Sequence, residues 1–152
     1  MADQTDIATL NHLIATCRDG EMGYWSAAEH VKDEGIRWMF HDLARKRGQF
    51  AEELRQEVRR LGGAVEEGGS VAGSMHRHWI AFKSNVRTGD DAFIVAEVER
   101  GEGIALSAYE AATKNALSSP ARAIIARQRV QVKEAHDRVS ALEKEWRHRK
   151  SL

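Results

Sequence analysis

The sequence is poor in the residues that most often announce a function. Of its 152 residues one is cysteine, Cys17, and one is proline, Pro120. A single cysteine excludes an internal disulfide and a cysteine-rich zinc site. A single proline leaves room for long uninterrupted helices, because a mid-helix proline removes a hydrogen bond and clashes with the preceding turn. There is no surplus of either charge: Lys+Arg and Asp+Glu are both 23. Non-specific nucleic-acid binding works through an excess of cations that displaces counterions, so nucleic acid is not an expected partner. The basic end Arg147, His148, Arg149, Lys150 suits a helix C-terminus through the macrodipole, the alternative being a binding tail. No apolar run approaches membrane-spanning length, and no leader pattern opens the chain. The expectation is a cytoplasmic protein with no membrane partner.

What is present is helical periodicity. Ile7, Leu10, Ile14, Cys17, Tyr24 and Ala28 recur at the spacing of one buried helix face over about 5–29, with Thr5 or Asp6 as N-cap. Ile36, Phe40, Leu43, Phe50, Leu54 and Leu61 do the same over about 33–61, and Gly62 and Gly63 stop that helix. A glycine-rich loop to Ser70 follows. A shorter helix over about 71–87 offers Met75, Trp79, Ile80 and Phe82 as apolar contacts. Val95, Val98, Ala105, Tyr109 and Ala112 mark a helix over about 91–116. Ser118, Ser119 and Pro120 start the last, over about 120–148, with Ile125, Val132, Val139, Leu142 and Trp146 inward. The tight joints make antiparallel hairpins of the first and second long helices and of the third and fourth. The connection between the pairs is long enough to cross the bundle. The expected fold is all-α: a single domain over 1–152, an up-down four-helix bundle with ferritin-like connectivity, its long crossover carrying an extra short helix.

Four residues interrupt these stripes near the middle of their helices: Glu21, Arg47, Glu102 and His136. Antiparallel packing brings them to one height, so a polar layer through the core is expected, with Cys17, Glu99 and Lys133 at or beside it. A buried charge is costly unless paired. A di-metal carboxylate site needs a Glu from each of two helices and Glu-x-x-His from each of the other two. This chain has no Glu-x-x-His; the nearest segments are Lys133-Glu134-Ala135-His136 and Arg47-Gly48-Gln49-Phe50. Glu21 and Glu102 against Arg47 and Lys133 neutralise one another without metal, so an ion-pair network with no cofactor is the leading reading. The rival is a single iron or other divalent ion held by Glu102, His136 and Asp19 or Glu21.

Several segments resemble a bacterial ferritin-like family, domain-of-unknown-function family 2383. They are Leu10-Asn11-His12-Leu13-Ile14, Cys17-Arg18-Asp19-Gly20-Glu21 with Gly23-Tyr24, Ala27-Ala28-Glu29, and Arg47 with Phe50-Ala51. Leu61-Gly62-Gly63, Gly69-Ser70, Gly73, His76-Arg77 with Trp79, Glu99-Arg100-Gly101-Glu102 and His136-Asp137 follow in order. The resemblance implies a ferritin-like bundle and no established activity. Against ferritins, the first-helix ligand position looks like Cys17, the second-helix pair becomes Arg47 and Phe50, and the fourth-helix pair Lys133 and His136. Only Glu102 and His136 resemble retained ligands, which counts against ferroxidase activity.

Other groups read as structural. Cys17 lies inward, as a buried thiol rather than a nucleophile. Gly20, Gly23 and Gly101 suit close helix approach, with ligand access as the alternative. His76 and His78 point to different faces, and no acyl-transfer triad is recognisable. Trp25, Trp38, Trp79 and Trp146 fit core packing; an aromatic exposed on the crossover helix would instead anchor a homodimer or an unknown protein partner. The expected function is therefore non-enzymatic, a binding or assembly protein of bacterial stress physiology. The alternative is a metal-binding oxidoreductase or iron-handling protein.

Overall fold

The computed structural model describes residues 2–66 and 73–150. Five α-helices carry the chain: α1 Ala2–His30, α2 Glu34–Arg60, α3 Ser74–Asn85, α4 Asp91–Ala112 and α5 Ser119–Lys150. A 3-10 turn, Val86–Thr88, follows α3. The described residues contain no strand, so the protein is all-α. None of their helices is long and apolar enough to cross a membrane.

Short links fold α1 back along α2 and α4 back along α5. The two hairpins then meet mainly through α1 and α4, while α2 and α5 touch only sparsely. Side-chain hydrogen bonds fasten the ends. Asp91 accepts from the backbone N–H of Lys32 and of Asp33, at 2.8 and 2.9 Å, tying the start of α4 to the α1–α2 turn. At the opposite end Asn11 donates to the Ala64 carbonyl and accepts from the Glu66 N–H, at 3.0 and 3.1 Å, so one amide holds the loop after α2.

The helix ends differ in part from the spacing rules. α1 begins at Ala2, ahead of Thr5 and Asp6. Asp6 is not a cap; it is buried and accepts the Ser118 N–H at 3.1 Å, joining α1 to the start of α5. The Ser118 hydroxyl, expected to cap α5, makes no hydrogen bond. Asp33 and Asp90 do cap α2 and α4, accepting from the N–H of Ile36 and of Phe93. Gly62 ends α2 at φ 77°, and its N–H and that of Gly63 satisfy the carbonyls of Arg59 and Val58. That is the paired closure a left-handed glycine permits. α4 stops at Ala112 rather than near 116, and Asn115 beyond it donates to Thr9 at 2.9 Å. The crossover helix is described from Ser74; Val71, expected to open it, and Gly69 and Ser70 of the loop before it lie outside the described residues.

Trp79 seats this crossover helix. Its ring is 4% exposed, edge-on to Phe82, and its Nε1 donates to Met75 Sδ at 2.8 Å. The ring lies over Gly23 of α1 and Gly101 of α4: a Cβ at Gly101 would stand 2.5 Å from it, and one at Gly23 closer still. These glycines admit an aromatic side chain rather than a neighbouring backbone. Ile80, expected inward, is 53% exposed, because Met75, Trp79 and Phe82 define the packed side of α3.

A Gly23→Ala substitution must displace Trp79 and should destabilise the protein by about 1–3 kcal/mol, the usual range for overpacking. Gly103→Ala meets nothing within 4 Å and should stabilise by roughly 0.5–1 kcal/mol, through helix propensity alone. Urea titration of both variants checks the opposite signs.

Candidate functional site

The sites follow from which residues each stripe turns inward. On α2 the buried positions include Phe40, Leu43, Arg47, Phe50 and Leu54. On α4 they include Val98, Glu102, Ala105 and Tyr109. Both stripes run at alternating three- and four-residue steps, so Arg47 and Glu102 are delivered into the core by the periodicity that buries their apolar neighbours. Arg47 Nη2 donates to Glu102 Oε2 at 2.5 Å, and each side chain is 2% exposed. The Arg47 guanidinium carbon lies 5.7 Å from the Tyr24 ring centroid. Gly20 makes room for it: a Cβ there would sit 3.4 Å from Arg47 Nη1. A cavity of about 60 Å³ between α2 and α5, lined by Arg47 and Arg138 among others, adjoins the pair.

A second set of polar groups crosses the same core. Tyr109 donates to Gln128 Oε1 at 2.6 Å, and Cys17 Sγ lies 3.1 Å from the Tyr109 oxygen. Gln128 Nε2 donates to the Phe50 carbonyl at 3.3 Å and to Glu53 at 2.8 Å. These partners fix the direction of every bond. The only Tyr109 hydroxyl proton goes to Gln128, so the Cys17 thiol must donate to Tyr109. The run Cys17, Tyr109, Gln128, Phe50 passes through α1, α4, α5 and α2 in turn.

Electrostatics keep these groups protonated. Burial pushes the Cys17 thiol above its ordinary 9.0, and nearby Arg47 does not offset it. Burial raises Tyr24 and Tyr109 well above their ordinary 10.0; the Glu102 charge adds to the first and Cys17 to the second. The Tyr24 hydroxyl makes no well-formed hydrogen bond among the described residues, although Glu102 is near enough to help hold its proton. Burial works against the Arg47 cation, but its surroundings, Glu102 foremost with Tyr24 and Cys17, together offset it and the guanidinium stays charged. The arrangement holds protons in place: a neutral thiol, two neutral phenols and one compensated ion pair.

The remaining residues expected in or near this layer lie elsewhere. Lys133 is exposed and bonds Asp137 at 2.9 Å. It follows buried Val132 by one residue, which turns it about 100° out of the core. His136 faces Asp137 at 3.4 Å and lines an outer groove. Glu99 sits at the edge and accepts from Ser140 at 3.0 Å. Glu21 is half-buried over Gly48, where a Cβ would stand 2.6 Å from its carboxylate. Asp19 lies 3.3 Å from His76. Glu102, His136, Asp19 and Glu21 therefore do not converge. Among the described residues no three His, Cys, Asp or Glu side chains are placed to hold one metal ion. The outer groove, about 780 Å³, has His12, Arg77, Glu99, Arg100 and His136 on its walls.

Gln128 is the core residue that sequence reasoning missed. The signal was present: Ala121, Ile125, Gln128, Val132, Ala135 and Val139, all buried, keep a strict four-three alternation. That count puts Gln128 and Ala135 inward and leaves His136 on the flank.

Either Arg47→Met or Glu102→Leu alone should cost about 3–5 kcal/mol, because the surviving charge is left buried and unpaired. The double variant should recover most of that loss, a coupling that a urea-denaturation cycle measures. A second expectation concerns alkaline pH. Cys17, Tyr24 and Tyr109 bind protons more tightly folded than unfolded, so unfolding releases protons above pH 9 and stability falls as pH rises through 9 to 11. Tyr24→Phe should flatten that fall in unfolding curves taken between pH 8 and 11.

Comparison with known proteins places the chain. The sequence model of the family described as Domain of unknown function (DUF2383) matches residues 5–115, from α1 to just beyond α4. The His136-Asp137 resemblance lies outside that span. No curated protein matches the chain. A match over more than half of the residues, including Cys17, Arg47 and Glu102, assigns the chain to the Domain of unknown function (DUF2383) family.

Proposed function

We propose that the protein is a ferritin-like helical bundle in which a buried ion pair stands where relatives of that architecture would hold two metals. Its work is binding or assembly through its surface. The observation that carries the reading is the Arg47–Glu102 pair, fully buried among the four long helices. A guanidinium there supplies the positive charge that Glu102 requires and repels a divalent cation. Cys17, Tyr109 and Gln128 are bonded to one another and, through Gln128, to the Phe50 carbonyl and Glu53.

Metal analysis tests the reading. After incubation with ferrous iron, zinc and manganese, then desalting, the protein should retain close to no metal per chain. One or two ions per chain, lost in Glu102→Ala or His136→Ala, would overturn it in favour of a metal-handling oxidoreductase.

A further inference from the structure

The alternative of an exposed aromatic on the crossover helix does not hold, since Trp79 and Phe82 are buried; Trp25 and Trp38, expected in the core, are the exposed indoles, on the first hairpin. Trp38 is 73% and Trp25 45% exposed. His41 stands between them, its ring centroid 4.8 Å from that of Trp25 and 6.5 Å from that of Trp38. A groove of about 730 Å³ runs along this face past Arg45, Gly48 and Glu52. Contiguous exposed aromatics on rigid helices mark a contact surface. On its inner sides α2 meets α1 and, sparsely, α5; the described residues leave this outer face open.

The charge pattern identifies the occupant. Outward positions on α2 follow at helical spacing: Trp38, then Asp42, Arg45, Gln49, Glu52 and Arg59. Arg45 is 69% and Glu52 51% exposed. Lay a second α2 antiparallel on the first, centred between Gly48 and Gln49. Arg45 then faces the partner's Glu52, and Trp38 faces the partner's Arg59. Each facing pair joins a cation to a carboxylate or to an indole. A two-fold interface requires this self-complementarity. Parallel placement would set Arg45 against the partner's Arg45. A nucleic acid or anionic membrane would meet Asp42 and Glu52.

We infer that the Trp25–Trp38 face is the self-association surface of this protein, on which a second copy docks with the two α2 helices antiparallel about the point between Gly48 and Gln49. Glu21, which makes no ion pair among the described residues, lies at the centre within reach of the partner's Arg45. The inference deepens the reading of the chain as an assembly protein. Metal uptake tests the core and molecular mass tests this face, so either can fail alone.

Sedimentation equilibrium should give the wild-type protein about twice the 17.1 kDa of one chain. Arg45→Glu turns two symmetry-related pairs like-charged and should weaken the dimer on the order of 100-fold. Glu52→Arg should do the same, and the double variant Arg45→Glu/Glu52→Arg should restore it. Restoration cannot arise within one chain. Arg45 already pairs with Asp42 and Arg55 with Glu52 on the same helix, and the double exchange makes both contacts repulsive. Trp38→Ala should also yield monomer, with helical circular dichroism unchanged. A wild-type protein that remains monomeric at about 100 µM, far above the Kd of a stable dimer, would overturn the inference. So would a dimer indifferent to Trp38→Ala and Arg45→Glu, or a double variant no tighter than the single ones.

Discussion

A guanidinium buried among four helices can be tolerated only if a carboxylate meets it. That constraint organises this molecule. Arg47 belongs to α2 and Glu102 to α4, which sit diagonally, each having α1 and α5 as its packing neighbours. Their bond is therefore a strut across the bundle rather than a link along one seam. The run from Cys17 through Tyr109 and Gln128 to the Phe50 carbonyl travels the other way, from neighbour to neighbour around the perimeter. Hydrophobic burial is indifferent to a shift of one turn along a helix. These bonds are not, since such a shift strands a buried donor or acceptor.

The glycines make sense in the same terms. Glycine within a helix is unfavourable by propensity. Gly20, Gly23, Gly48 and Gly101 each sit beneath one large side chain: Arg47, Trp79, Glu21 and Trp79 again. The helices accept weaker local preference in return for space. The result is a wall with fitted recesses for two charges and one indole, and it is the indole that locks the crossover helix onto α1 and α4.

Much of this was legible in the sequence. Apolar spacing revealed the helices, because burial on one face leaves a periodic trace. Gly62 announced its role because its chemistry is local. Arg47 and Glu102 were visible as interruptions of regular stripes. Cys17 was legible as inward but not as a donor, since its partner is distant in sequence. Glu21, Lys133 and His136 were misplaced by a single helical position, about 100° of rotation. Gly20 holds the inward place beside Glu21, as Ala135 does beside His136. Gln128 escaped notice because a neutral amide interrupts a stripe less conspicuously than a charge. Asp6 reads as a cap by composition; only the fold brings Ser118 to it.

The unequal seams of the bundle have a mechanical consequence. The hairpins resemble the covers of a book, with the α1–α4 contact as its spine and Trp79 pressed against it. The α2–α5 side, where contact is sparser, is the open edge. Water entering by that edge reaches Arg47 and the Gln128 amide before it reaches the spine. Cys17, bonded to Tyr109 on α4, lies at the spine. The thiol thus lies away from the open edge, on the side that the larger α1–α4 contact closes.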